Sequence, residues 1–147
     1  MTERSPLTGD WRLRDWSSIA DDGSEAQPMG PTPVGILVYS PDGTMITTIA
    51  PTGRPRLMSG DPLRGGPDDE RRQSAETFIA YSGRYEYDGT DVVHTVEMSL
   101  YPNWVGTRQL RHVRLADDGD TLELSTDPLA LDGRRSVQRL TWIRHHT

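Results

Sequence analysis

The sequence predicts an all-β protein, an eight-stranded antiparallel up-and-down barrel, and three observations carry that expectation. Apolar and polar residues alternate with a period of two in several segments, most plainly where Val92, His94, Val96, Met98 and Leu100 stand against Thr95, Glu97 and Ser99. Turn signals separate these segments, among them Ser40-Pro41-Asp42-Gly43, Asp88-Gly89 and Asp117-Asp118-Gly119-Asp120. The composition, 33% hydrophobic with 14 glycines and 11 prolines, suits short strands joined by turns better than a helical bundle. Barrel closure gives consecutive strands with one apolar face a common interior and removes their edges, whereas a sandwich needs crossings that these short links do not suggest.

The elements follow in chain order. After a polar tail over residues 1–8, Gly9 to about Ile19 alternates, with Trp11 and Leu13 on one face, and forms strand one. Residues 21–32 are rich in Gly, Pro, Asp and Ser and read as a surface connection. Val34–Tyr39 is apolar at nearly every position, so pattern does not choose its inward face; Thr44–Ala50 returns as strand three. Residues 51–66 are broken by proline and glycine. Pro67-Asp68-Asp69-Glu70 then starts a helix running to about Ile79, with acids where the helix dipole favours them. This 51–80 insertion between strands three and four is expected to lie across one end of the barrel as a lid or a plug.

Strand four carries Tyr81, Gly83, Tyr85 and Tyr87 inward, and the Asp88-Gly89 hairpin sets either Tyr85 or Gly83 opposite His94 on strand five. The Pro102-Asn103-Trp104 corner leads to strand six, Thr107–Leu115. Pairing Leu115 with Leu122 and Val113 with Leu124 on strand seven turns Arg111 and Gln109 inward and leaves Arg108, His112 and Arg114 to solvent. Residues 127–134 read as a loop, and Ser136–Arg144 makes strand eight with Trp142. The expected pairing of strands five and six puts Val96 opposite Arg111, Met98 opposite Gln109, and His94 diagonal to Arg111.

Charge and composition exclude several functions. The net charge of -6, from 22 acids and 16 bases with no basic run, disfavours nucleic acid and anionic membranes as partners. Every base is arginine and there is no cysteine, which rules out a lysine Schiff base, a thiolate nucleophile, a disulfide and a cysteine metal site. The N-terminal residues lack the pattern of a signal peptide, and no stretch approaches the length of a membrane span, so a cytoplasmic location is expected. The four histidines show no metal-binding spacing, and no phosphate-loop, dinucleotide or serine-hydrolase motif is present.

Gly9-Asp10-Trp11 resembles the G-x-W that opens the first strand of lipocalins. The ordered series Tyr39 to Gly43, Arg54-Pro55-Arg56, Ala80 to Tyr85, His94 to Ser99, Pro102 to Gly106 with Gln109 and Arg111, and Trp142 is similar to the bacterial and fungal lipocalin-like domain family, over nearly the whole chain. The resemblance implies a calycin-type barrel, generally cytosolic. It also implies that a basic residue near the last strand packs on the first-strand tryptophan, a place Arg144 can take against Trp11. The resemblance further implies a binding role, since some small barrels of this general kind bind polyketide-like or terpenoid-like skeletons and some guide a cyclisation or isomerisation.

Polar residues on the apolar inner face supply the candidate site. A buried, unpaired guanidinium is costly, so Arg111 calls for water, an acceptor or a ligand oxygen in the interior. His94, with an ordinary pKa near neutrality, is the candidate for proton transfer, Tyr85 for hydrogen-bond donation and Arg111 for stabilising an oxyanion, which makes these three the candidate catalytic residues. Tyr39, Met45, Tyr81, Val96, Met98, Trp104, Gln109 and Trp142 complete the expected ligand-binding set. The competing reading is a closed polar network inside a filled core. Read as a whole, the sequence points to a monomer or homodimer that encloses a small, largely apolar, oxygen-bearing molecule. It would guide a cofactor-free cyclisation or isomerisation in secondary metabolism, or, alternatively, carry or sequester the molecule without turnover.

Overall fold

A computed structural model describes residues 4–58 and 60–146. Ten strands form among them: β1 (Gly9–Ala20), β2 (Glu25–Ala26), β3 (Val34–Tyr39), β4 (Thr44–Ala50), β5 (Ile79–Tyr87), β6 (Asp91–Ser99), β7 (Arg108–Leu115), β8 (Thr121–Ser125), β9 (Leu129–Leu131) and β10 (Arg134–Arg144). Eight of these, in the order β1-β3-β4-β5-β6-β7-β8-β10, make an antiparallel barrel that β10 closes against β1. Closure matches the expected fold class. The dipeptide β2 pairs with β1, and β9 pairs with β10, so both are short additions at the rim.

Because consecutive barrel strands run antiparallel, the connections alternate between two ends. Tight turns at 40–43, 88–90 and 116–120 gather at one end, and the longer connections 21–33, 51–78, 100–107 and 126–133 gather at the other. The tight end is sealed. Leu7 is fully buried there, its carbonyl accepts the Trp11 indole N–H at 2.9 Å, and a turn from Ser5 to Thr8 holds it in place. The expected polar tail is thus corrected: one leucine inside it is a plug, because the chain needs an apolar group to close that end.

Both ambiguous strands resolve. Leu37 and Tyr39 on β3 and Met45, Thr47 and Ile49 on β4 face inward, while Val34, Ile36 and Ile46 face out. The register Tyr39↔Met45 follows from the turn chemistry at 40–43, where the Ser40 hydroxyl accepts the Thr44 N–H.

Two bulges account for other departures from simple alternation. On β1, pairing with β10 jumps between Leu13 and Asp15, so Trp16 and Ser18 join Trp11 and Leu13 inside. On β6, Ser82 pairs with Met98 but Gly83 with Val96, leaving Glu97 as the extra residue. Past that bulge the faces exchange. Met98, expected inside, is therefore 71% exposed, and Leu100 is exposed too. Gly83 is fixed by the same crossing: a Cβ there would stand 1.9 Å from the Thr95 carbonyl oxygen.

The β6–β7 register is also corrected. Val92 faces Arg111 and His94 faces Gln109, four residues from the expected alignment, because a 3-10 turn at Pro102–Trp104 widens the corner and the pairing ends with Gly106 N–H on the Val96 carbonyl. The parity, and the diagonal placing of His94 and Arg111, survive this shift. The hairpin sets Tyr85 opposite His94, and the pairs Leu115↔Leu122 and Val113↔Leu124 occur as expected.

The helix α1 spans Asp68–Glu76, and Ile79, expected to end it, opens β5. Acids occupy its first turn, but its sequence is polar all round and none of its side chains is buried, so it does not plug the barrel. No helix among the described residues is long and apolar enough to cross a membrane.

Candidate functional site

Between the sealed end and the longer connections lies a cavity of about 100 Å³, several times the space one water needs. Its walls come from all eight barrel strands and from the rim. Leu37, Ile49, Ile79, Leu124, Leu140 and three tryptophans, Trp16, Trp104 and Trp142, give it an apolar surface. Thr47, Thr126, Tyr81, His94, Arg111 and Gln138 supply its polar groups, and among the described residues no carboxylate lines it.

His94 sits at the centre of the polar wall. Its position on β6 faces inward, it is 2% exposed, and each ring nitrogen meets a tyrosine: Nε2 the Tyr39 hydroxyl at 2.7 Å and Nδ1 the Tyr81 hydroxyl at 2.8 Å. Burial, helped by the Arg111 charge, pushes the His94 pKa down to about 3. The expected ordinary histidine is therefore a neutral one at physiological pH. Burial also raises both tyrosines, Tyr39 strongly; at Tyr81 the Arg111 guanidinium opposes the rise.

Arg111 reaches the cavity from β7. Its Nη2 donates to the Gln109 side-chain carbonyl at 2.7 Å and its Nη1 to the Leu110 carbonyl at 3.0 Å, so Gln109 orients the guanidinium without lining the cavity. The positive charge is thus held by neutral acceptors. Trp104, from the 3-10 corner, closes one side with its ring edge-on to Tyr81 at 5.6 Å. Trp142 also lines the cavity, and its indole N–H has no hydrogen-bond partner among the described residues.

The remaining expected residues lie elsewhere. Tyr85 is at the sealed end, where its hydroxyl donates to the Ser40 carbonyl at 2.6 Å and its ring packs against Tyr39 at 4.5 Å. It does not line the cavity. Tyr39, Met45 and Val96 are buried but do not line the cavity, and Met98 is on the outer surface. Arg54 pins its own loop, donating to the Thr77 hydroxyl and the Ser74 carbonyl and lying over Phe78, and does not reach the cavity.

Several liners escape sequence reasoning. Trp16 is hidden by the β1 bulge, which reverses its apparent face. Gln138 accepts the Trp16 indole N–H at 2.8 Å and donates to Ser18 and Ser136, a closed network whose members are far apart in sequence. Leu129 and Leu131 come from β9, inside the expected loop; their alternation with Ala130 was the one signal available. On the outer wall, His112 bridges Asp91 at 2.9 Å and Asp127 at 2.7 Å, tying β7 to the rim segment that carries these leucines; those hydrogen bonds, Asp127 first, raise its pKa.

The sequence model of a family described as lipocalin-like domain matches residues 8–145. A relative from Aspergillus oryzae, called 4'-hydroxy-3'-methoxypropiophenone carrier protein ppsC, is 41% identical over 92 residues, covering 56% of this chain and 81% of that protein.

Proposed function

The chain belongs to the lipocalin-like domain family, and from that membership we propose that it carries a small aromatic or otherwise largely apolar ketone or phenol inside the barrel, in secondary metabolism. The observation that carries this reading is Arg111: a cation at the wall of a largely apolar cavity that no carboxylate lines among the described residues, a setting that favours an uncharged or anionic oxygen on the guest. The name of the fungal relative supports the same class of guest. On this reading the 51–78 connection, at the open end, is a lid over the mouth.

A cyclisation or isomerisation has less support. Of the residues expected to catalyse it, Tyr85 stands away from the cavity, and His94 is neutral with both nitrogens engaged. Arg111 alone lines the cavity as an oriented cation, and such a cation serves binding as well as transition-state stabilisation.

The test is a titration with 4'-hydroxy-3'-methoxypropiophenone, followed by the fluorescence of the tryptophans, three of which line the cavity. Saturable binding that weakens in Arg111→Met is expected, with the ketone recovered unchanged by chromatography. No saturable signal from the ketone or from related phenols would refute the carrier reading, and recovery of an isomer would replace it with catalysis.

A further inference from the structure

The hydrogens along the Tyr39, His94, Tyr81 chain decide which group faces the guest. Tyr39 is 1% exposed and does not border the cavity, and its hydroxyl has one hydrogen-bond partner among the described residues, Nε2 of His94. A buried O–H without an acceptor bears its full desolvation penalty. Tyr39 therefore donates, and Nε2 accepts. A neutral imidazole with a bare Nε2 carries its hydrogen on Nδ1, and the group in reach of Nδ1 is the Tyr81 oxygen. Tyr81 thus accepts from His94 and retains its own O–H. Unlike Tyr39, it lines the cavity. The opposite orientation would strand the Tyr39 hydrogen in the closed core, where neither guest nor water reaches it.

We propose that Tyr81 is a guest-facing donor of this barrel, aimed by the buried chain from Tyr39 through His94, and that with Arg111 it selects molecules bearing a carbonyl or phenolic oxygen. The inference rests on the binding reading above and assigns the polar pole within the same cavity. Arg111 lines the cavity beside Tyr81 and exerts its charge on the Tyr81 hydroxyl, so one guest oxygen meets two donors with no carboxylate to compete. His94 is a positioning residue. It offers the guest no ionisable proton, and its contribution is the direction of the Tyr81 hydrogen. A guest amine finds no anion to receive it.

The experiment compares propiophenone with propylbenzene, which share a shape and differ by the carbonyl oxygen, in the wild type and in Tyr81→Phe. The ratio of the two affinities is expected to fall by roughly threefold to tenfold in the variant, the worth of one neutral hydrogen bond. An unchanged ratio overturns the inference and leaves the carrier reading standing. If the wild type binds neither these compounds nor the hydroxy-methoxy ketone, the carrier reading falls and this inference with it. Long-range proton-nitrogen correlation NMR of the wild type gives a second readout that needs no variant. His94 protonated on Nδ1 is expected, and protonation on Nε2 overturns the proposed direction.

Discussion

The guanidinium carbon of Arg144 stands 4.3 Å from the ring centroid of Trp11, across the β10–β1 seam that closes the barrel. Its three nitrogens donate to the carbonyls of Gly119, Thr8 and Pro6, so one side chain ties the last strand, a tight turn and the N-terminal plug together. Gly9 gives it room, since a Cβ there would meet the guanidinium at 2.7 Å.

Replacing Arg144 with Met keeps the apolar stem but removes the stacked charge and three donors. A loss of roughly 3 kcal/mol in unfolding free energy is expected by denaturant titration. Arg144→Lys should recover only part of it, because an ammonium cannot serve three carbonyls and the ring at once. Ligand affinity of the folded fraction should not change, as the cavity lies toward the other end.

Gly83→Ala tests the β6 bulge. Its Cβ would stand 1.9 Å from the Thr95 carbonyl oxygen, backbone that cannot swing aside. A cost above about 3 kcal/mol is expected in thermal or chemical unfolding. A near-neutral effect would mean that the crossing of β5 and β6 is looser than described.

His94 sets an acid limit on stability. Its folded pKa, about 3, lies below its ordinary value of 6.5, so below the ordinary value the unfolded chain takes up a proton that the folded chain refuses. The stabilisation is therefore complete above about pH 6.5 and is lost as pH falls toward the folded value, with a slope of at most about 1.4 kcal/mol per pH unit. Unfolding free energies measured across this range should show that slope in the wild type and a shallower one in His94→Gln.

The barrel was largely legible in the sequence because its signals are local: alternation on β6 and β8, and turn chemistry at 40–43, 88–90 and 116–120, determine most of the register. The inward turn of Arg111 followed from one parity argument through Leu115 and Leu122, and it holds. What escaped depends on long-range geometry. The bulges at Arg14 and Glu97 each reverse a face, which hid Trp16 and misplaced Met98. The state of His94 escaped for a related reason. Its pKa is lowered first by burial and then by the Arg111 charge, and that burial needs a closed wall that includes β3, a strand whose inward face the pattern did not determine.

Native mass spectrometry tests most directly whether the cavity holds one small guest. Wild-type protein incubated with 4'-hydroxy-3'-methoxypropiophenone is expected to show a one-to-one complex, and Leu140→Trp, which fills the space between Leu124 and Trp142 from within, is expected to lose it while remaining folded. Absence of a complex in the wild type, or a complex equally populated in the filled variant, would show that the cavity does not hold this guest.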